Sequence, residues 1–444
     1  MFVGAGGVST LVGSLDLLVD DRLGIIQRIG PAAAEAGAPD FFHIEAEICD
    51  TRAFGGPRAR SLAGAAATDR QAALEATTAR ALAAYTAALF DRNVLPLAGP
   101  AEAPFANVKP SAFALFSKAQ YDRPGFPYVP VTDATPLRWA SAVDLGTGEE
   151  VHLPAAFVFY PFPYRRRGGD LPIFPANAAG IVCADSIAEA ALAGLYEVVA
   201  QDAAALFWQA RTAPPQLKLP TLPEPLRDLV QRFEKTGDKL VMLDVTTDNT
   251  IPAFVAILSS QREGEPAFVL ECAADLDAGT ALARALIRLA GTRRLSHEAL
   301  RNVPPVTAAN EWEDLFEPVD HLRFAADRDN RRYFDFAFAT DLDRDFSHYE
   351  PREPASFDAD LETGVKLVAT GGHRAYAANL TTDDLGLFGL NVCRTVVPGY
   401  LPLAPGYRFR PLGASRLYET PRRLGYRGVK PGEPDNPAPH PFFV

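Results

Sequence analysis

NAAGIVCADSIAEAALAGLYEVVAQDAAALFW, residues 177–208, is the stretch whose reading decides the fold. Ser186 followed by Glu189 is the S-x-x-E pattern of a helix start. The Ala-, Leu- and Val-rich run after it predicts one long helix, ending near Gln209. Glu197 falls mid-helix, with apolar neighbours over two turns. A buried carboxylate there needs a cation, a metal or a chemical task, because burying an unpaired charge is costly. A Glu197 on a solvent-facing stripe needs none.

Working outward, a second helix of the same kind is predicted from Thr68 to Phe90, with Thr68 and Gln71 in capping-box spacing. It carries Glu75 within QAALEATTARALAAY, again on an otherwise apolar surface. Residues 15–28 read as two short strands around a turn at Asp20–Gly24, and 42–49 as another strand. A Gly/Arg/Ala-rich loop follows. Trp139–Asp144 and Val151–Pro154 read as a hairpin around Gly146–Gly148.

Past the Pro-rich linker Ala213–Pro225, a short helix is predicted at Leu226–Lys235. Strands follow at Lys239–Thr246, Ala253–Ser259 and Ala267–Glu271, then a helix at Thr280–Ala290. Further strands are predicted at Lys366–Ala369, Ala375–Ala378 and Leu390–Val397. The Asp244-to-Asp248 turn offers carboxylates that bond their own backbone in the simplest case. Long helices among many strands argue an α+β (mixed α/β) class. The expected division is one domain over 1–425 and an extended Pro-rich tail over 426–444.

Composition narrows function by exclusion. Lys and Arg number 43 against 55 Asp and Glu, for a net charge of −12, so no nucleic-acid partner is expected. Arg165–Arg167 is the clearest basic run and reads as a solvated loop. The four cysteines form no C-x-x-C pair, and the seven histidines show no zinc spacing, which suits a reduced, cytoplasmic protein. No run of about 18 apolar residues suggests a membrane span. Phosphate-loop, kinase, dinucleotide and hydrolase-elbow motifs are missing, and GAGG at Gly4–Gly7 follows no strand.

Five segments in order nonetheless resemble the YcaO family, of the kind found in azoline-forming peptide cyclodehydratases. They are 138–161 (RWASAVDLGTGEEVHLPAAFVFYP), 177–208, 243–258 (LDVTTDNTIPAFVAIL), 379–403 (NLTTDDLGLFGLNVCRTVVPGYLPL) and 436–444 (NPAPHPFFV). The resemblance implies long helices packed on mixed sheets around a central nucleotide cleft. It implies ATP and Mg²⁺ as cofactors, with Glu75 and Glu197 as metal ligands. Asn177, Asp202 and Arg288 would join Glu75 and Glu197 in cofactor binding. The tail prolines Pro437, Pro439 and Pro441 would lie near the active site.

In such enzymes a Cys, Ser or Thr of a ribosomally made precursor peptide attacks the preceding amide. ATP then activates the resulting oxyanion, and a thiazoline or oxazoline remains. This is the chemistry of thiazole/oxazole-modified microcins and related bacteriocins. The resemblance also implies a separate leader-binding partner protein, and a homodimer fits the family.

The chain departs from the family at three acidic ligand positions, which are Thr78, Ala200 and Arg288. Magnesium needs oxygen ligands and negative charge, and these residues supply neither carboxylate nor, at Arg288, the right sign. Two readings follow: an ATP-using cyclodehydratase subunit with an altered metal shell, or a non-catalytic YcaO-like scaffold or regulatory subunit.

Overall fold

The computed structural model describes residues 10–33, 35, 37–165, 169–308, 312, 315–432 and 438–442. Strands β1 Ile26–Pro31, β2 Phe42–Ile48 and β3 Leu62–Ala67 form an antiparallel sheet in that order. A second sheet joins β4 Leu97–Ala98, β5 Leu137–Asp144, β6 Glu150–Pro154 and β7 Ile181–Ala184. Its centre is completed from later sequence. The third sheet contains β8 Gln216–Leu217, β9 Lys239–Asp244, β10 Ala253–Ser259, β11 Phe268–Ala274 and β12 Asp343–Arg344. Then β13 Tyr376–Asn379 and β14 Asn391–Val396 close the second sheet, in the order β4-β5-β13-β14-β7, with β6 paired to β5. The helices used below are α1 Arg70–Ala87, α2 Ile187–Gln209, α3 Glu224–Glu234, α4 Ala278–Asn302, α5 Pro318–Ala326, α6 Phe357–Thr370 and α7 Ser415–Arg423. This is the mixed architecture expected.

The third sheet divides two cores. Strand side chains alternate faces. Leu240, Met242, Phe254 and Ala256 pack with Leu282, Leu286 and Phe233 of α4 and α3. Their neighbours Val241, Leu243, Val255 and Ile257 pack with Leu206 and Phe207 of α2. Both faces are covered, so β9 to β11 read as continuous apolar runs. Helix α2 lies between the second and third sheets, which explains why it is apolar nearly all round. It has the length and composition to cross a membrane, but 78% of its apolar window is buried inside the fold.

Several expectations are corrected. Leu15–Leu18 is a helical turn, not a strand. The turn after it is real: the Asp20 carboxylate accepts from Arg22 N and Leu23 N at 2.9 and 2.8 Å. Strand β3, LAGAAA, lies where a loop was expected, because alanine has little intrinsic strand preference and only pairing with β2 reveals it. Helix α1 is capped by Asp69, whose side chain accepts from Ala72 N at 2.9 Å, not by Thr68. Residues 366–369 belong to α6; a short apolar run is ambiguous, and Ser356 caps the helix that contains it. Helix α4 runs on to Asn302. The tail is packed where described, with Ala438 to Phe442 buried.

One buried charge network ties the carboxyl-terminal part to α2. Arg416 of α7 donates to both oxygens of Asp202, at 2.7 and 2.6 Å, and to Asp248 at 2.9 Å. Asp202 is fully buried and also accepts from Leu401 N at 2.9 Å. The guanidinium lies over the Tyr400 ring, 4.3 Å from its centroid. Removing one partner strands the other charge, which costs about 3–5 kcal/mol. Asp202→Ala is therefore expected to lower unfolding stability by about that much in denaturant titrations, whereas Glu362→Ala, at an exposed pair, should leave it nearly unchanged.

Candidate functional site

The site forms where α2 passes the turn that precedes β7. Gly180 in that turn has φ +86°, and a Cβ there would meet Thr395 O at 2.4 Å. A Cβ on Gly194 of α2 would lie 2.7 Å from Gly180 O. Two glycines thus let turn and helix touch, and a side chain at either would push them apart. Thr395 fastens the contact from β14: its N donates to Gly180 O and its hydroxyl to Ala191 O, both at 2.8 Å. One turn along α2, Glu197 Oε2 accepts from Gly180 N at 3.1 Å.

The other carboxylate oxygen of Glu197 accepts from Arg288 Nη2 of α4 at 3.1 Å. Both side chains are about 30% exposed, at 30% for Glu197 and 29% for Arg288. A charge-assisted bond this sheltered contributes about 1.5–3 kcal/mol, more than a surface pair. Arg80 of α1 completes the near side, donating from Nη1 to Gly64 O of β3 at 2.6 Å. Arg80 keeps solvent-accessible surface, yet burial lowers its pKa, with Arg288 adding to the effect.

Glu271 of β11 bonds the Thr292 hydroxyl of α4. Burial raises its pKa, while Thr292, Arg288 and Arg80 pull it back. Behind the turn, buried Arg394 of β14 donates to Phe157 O at 3.1 Å and Asn177 O at 2.8 Å. Burial brings its pKa down to about 10, and Glu197 partly offsets this. Among the described residues no carboxylate pairs with Arg394 or Arg80. Beside this lies a partly open cavity of about 70 Å³, lined by Phe113, Phe157, Phe174, Asn177, Gln201 and Arg394 among others.

The expected site residues are thus partly gathered. Glu197, Arg288 and Asn177 meet at this cleft. Asn177 braces the turn, accepting from Ala179 N at 2.6 Å and donating to Gln201 at 2.8 Å. Glu75 shares a hydrogen bond with Gln71 at 3.3 Å, whereas the partners of Glu197 are Gly180 and Arg288. Asp202, expected at the cofactor, is instead enclosed by Arg416 and Leu401, which the helix rotation from Glu197 to Asp202 explains. Asp244 bonds Thr246 N, Arg344 and Tyr349, and is structural.

The tail packs behind the cleft. His440 stacks on His321 of α5, with centroids 3.8 Å apart, and its Nε2 lies 2.8 Å from Ala404 O. The preceding carbonyl, Leu403 O, approaches Asn177 Nδ2 at 3.5 Å. Pro439 and Pro441 are buried in this packing. Pro437, Arg166, Arg167 and Gly4–Gly7 lie outside the described residues. Sequence reasoning missed Arg80, Glu271 and Arg394.

Magnesium, which the resemblance implied, does not fit these residues. It requires about six oxygen ligands rich in negative charge. Both Glu197 oxygens are engaged by Gly180 and Arg288. The Thr78 hydroxyl donates to Leu74 O at 2.8 Å, Ala200 offers no side-chain ligand, and Arg288 is itself a cation. Among the described residues no three His, Cys, Asp or Glu side chains form a metal-sized group.

Long helices around a charged cleft, over three sheets of which one is mixed, form the fold of solved heterocyclases. The chain is similar over 99% of its length to a heterocyclase solved in complex with substrate and cofactor, with TM-score 0.74 and 21% identity, and covers 58% of that protein. It is also similar to YcaO from Methanopyrus kandleri bound with AMPPCP and Mg²⁺ (TM-score 0.65, 17% identity, 96% of this chain and 94% of that one). The E. coli microcin synthetase McbBCD complex with pro-MccB17 bound is a third (TM-score 0.55, 12% identity, 84% and 88%). In sequence, a protein of Methanothermobacter thermautotrophicus is 28% identical over 268 residues, 59% of this chain and 65% of that one. The chain therefore spans less than two thirds of the first relatives it matches. The YcaO cyclodehydratase family, described as ATP- and Mg²⁺-binding, matches residues 63–401, and the chain belongs to that family.

The Gly180–Gly194 contact gives a direct prediction. Gly194→Ala gains about 1 kcal/mol of helix propensity but incurs about 1–3 kcal/mol of overpacking against backbone that cannot move freely. Net destabilisation is expected in denaturant titrations, with faster hydrogen exchange at the Gly180 amide.

Proposed function

We propose that this chain is the YcaO subunit of a peptide cyclodehydratase that uses ATP to activate backbone amides. The observation that carries the reading is the family match over residues 63–401, which runs through α1, α2 and α4, the three helices that build the cleft. The heterocyclase fold over 99% of the chain supports it. The substrate is a ribosomally made precursor peptide, presented by a separate leader-binding protein. The McbBCD complex with its pro-MccB17 peptide is the kind of assembly envisaged. A cytoplasmic location suits both partners.

In this chemistry the Cys Sγ, or the Ser or Thr Oγ, attacks the preceding carbonyl carbon. The oxyanion takes the terminal phosphoryl group of ATP, leaving ADP. The amide nitrogen then loses its proton, phosphate departs with the former carbonyl oxygen, and a C=N bond closes the azoline. Phosphorylation is needed because an amide oxygen is a poor leaving group, so the protein's main tasks are positioning and charge neutralisation. Glu197 orients Arg288 toward the cleft. Arg394 and Asn177 fix the turn between cleft and cavity. Asp202, Pro439 and Pro441 support this frame from behind.

A second reading, a catalytically degenerate scaffold or regulatory subunit, is favoured by one observation: the cation Arg288 pairs with Glu197 where a metal shell was expected. Reconstitution separates the two. The purified chain, its leader-binding partner, the precursor peptide and ATP are expected to remove one water per ring by mass spectrometry. Glu197→Ala and Glu75→Ala should each lower turnover by about 100-fold or more, Glu75→Ala with unchanged melting temperature and Glu197→Ala with a lowered one, because its bonds to Gly180 and Arg288 are lost. Absence of dehydration under every ATP condition would leave only the scaffold reading.

A further inference from the structure

We propose that the cleft binds the phosphates of a nucleoside triphosphate directly through the Arg288 and Arg80 side chains, without a magnesium ion. The inference rests on the nucleotide-using reading above and concerns how the charge of that nucleotide is met.

The charge count at the cleft points this way. Three guanidinium groups converge here: Arg288 of α4 bonds Glu197 at 3.1 Å, Arg80 of α1 bonds Gly64 O of β3, a strand on which α4 also packs, and Arg394 of β14 bonds Asn177 O behind the turn. Two carboxylates, Glu197 and Glu271, face them, and burial biases Glu271 toward its neutral form. In a chain of net charge −12, this is a local reversal of sign. Positive charges gathered in one place repel one another unless an anion compensates them.

Donor capacity agrees. A guanidinium has five N–H donors. Arg288 spends one on Glu197, and Arg80 spends one on Gly64 O. Most of their donors therefore remain for a ligand, and planar guanidinium forks match phosphate oxygens in pairs. Arg394 is buried and supplies field from behind the turn, without contact. Glu197 holds Arg288 in place from one side only, through Nη2. A magnesium ion bound there would sit against that guanidinium and be repelled.

Isothermal calorimetry on the full chain tests this, with ATP and with inorganic triphosphate, each in EDTA and in excess Mg²⁺. Both are expected to bind in EDTA. Arg288→Ala and Arg80→Ala should each weaken that binding about ten- to hundredfold. Arg28→Ala, at an exposed arginine remote from the cleft, should leave it unchanged. Arg288→Lys keeps the charge and should retain part of the affinity; Arg288→Glu should abolish binding in EDTA. Binding that appears only with Mg²⁺, no binding in either buffer, or full affinity in Arg288→Glu overturns the proposal. Magnesium-dependent binding with active cyclisation overturns this inference alone. Binding in EDTA without any cyclisation overturns the cyclodehydratase reading alone.

Discussion

A single carboxylate set into an apolar helix constrains the whole centre of the molecule. Glu197 lies half-buried on α2, the helix packed between two sheets, and its charge has to be met there. The fold meets it twice, with a backbone amide from the Gly180 turn and with Arg288 from α4. The first contact needs turn and helix at glycine-only separation. The second fixes the rotation of α4 over β3 and β11. Strand β14 closes the arrangement through Thr395, and the Asp202–Arg416 pair locks the following segment to the same helix. The cleft is thus a by-product of compensating one charge.

Replacing a divalent ion by a guanidinium changes what the cleft can do. A metal is mobile, carries two charges and adjusts its ligands as a phosphoryl group moves. Arg288 is tethered, carries one charge and offers donors in fixed directions. With Arg80 opposite and Arg394 behind, the positive charge is divided among three side chains from three elements. On the proposed mode of binding, affinity depends on the helices keeping their spacing, which gives the dense packing around α2 a functional consequence.

Much of this was legible in the residues. Ser186 and Glu189 marked the start of α2, and its apolar run marked a central helix. The hairpin of β5 and β6 and the strands β9 to β11 were visible from alternation and β-branched runs. Strand β3 was hidden by its alanines, and the competition between Thr68 and Asp69 as caps was not decidable from spacing. The ion pair of Asp202 with Arg416 joins residues 214 positions apart, and no local pattern encodes it. Arg394 was hidden for the same reason: inside a strand of Val, Cys and Thr, an arginine looks like an exposed residue until its carbonyl partners are seen. Glu197 and Arg288 were each noticed, but their sequence positions did not reveal that they touch.

The account turns on what stands between Glu197 and a bound phosphate, so a crystal structure with a non-hydrolysable ATP analogue, grown with magnesium present, is the most direct test. Phosphate oxygens within hydrogen-bonding distance of Arg288 and Arg80, with the Glu197–Arg288 pair intact and no ion bridging to the carboxylate, are predicted. A magnesium ion joining Glu197 to the phosphates, with Arg288 turned away, would contradict it.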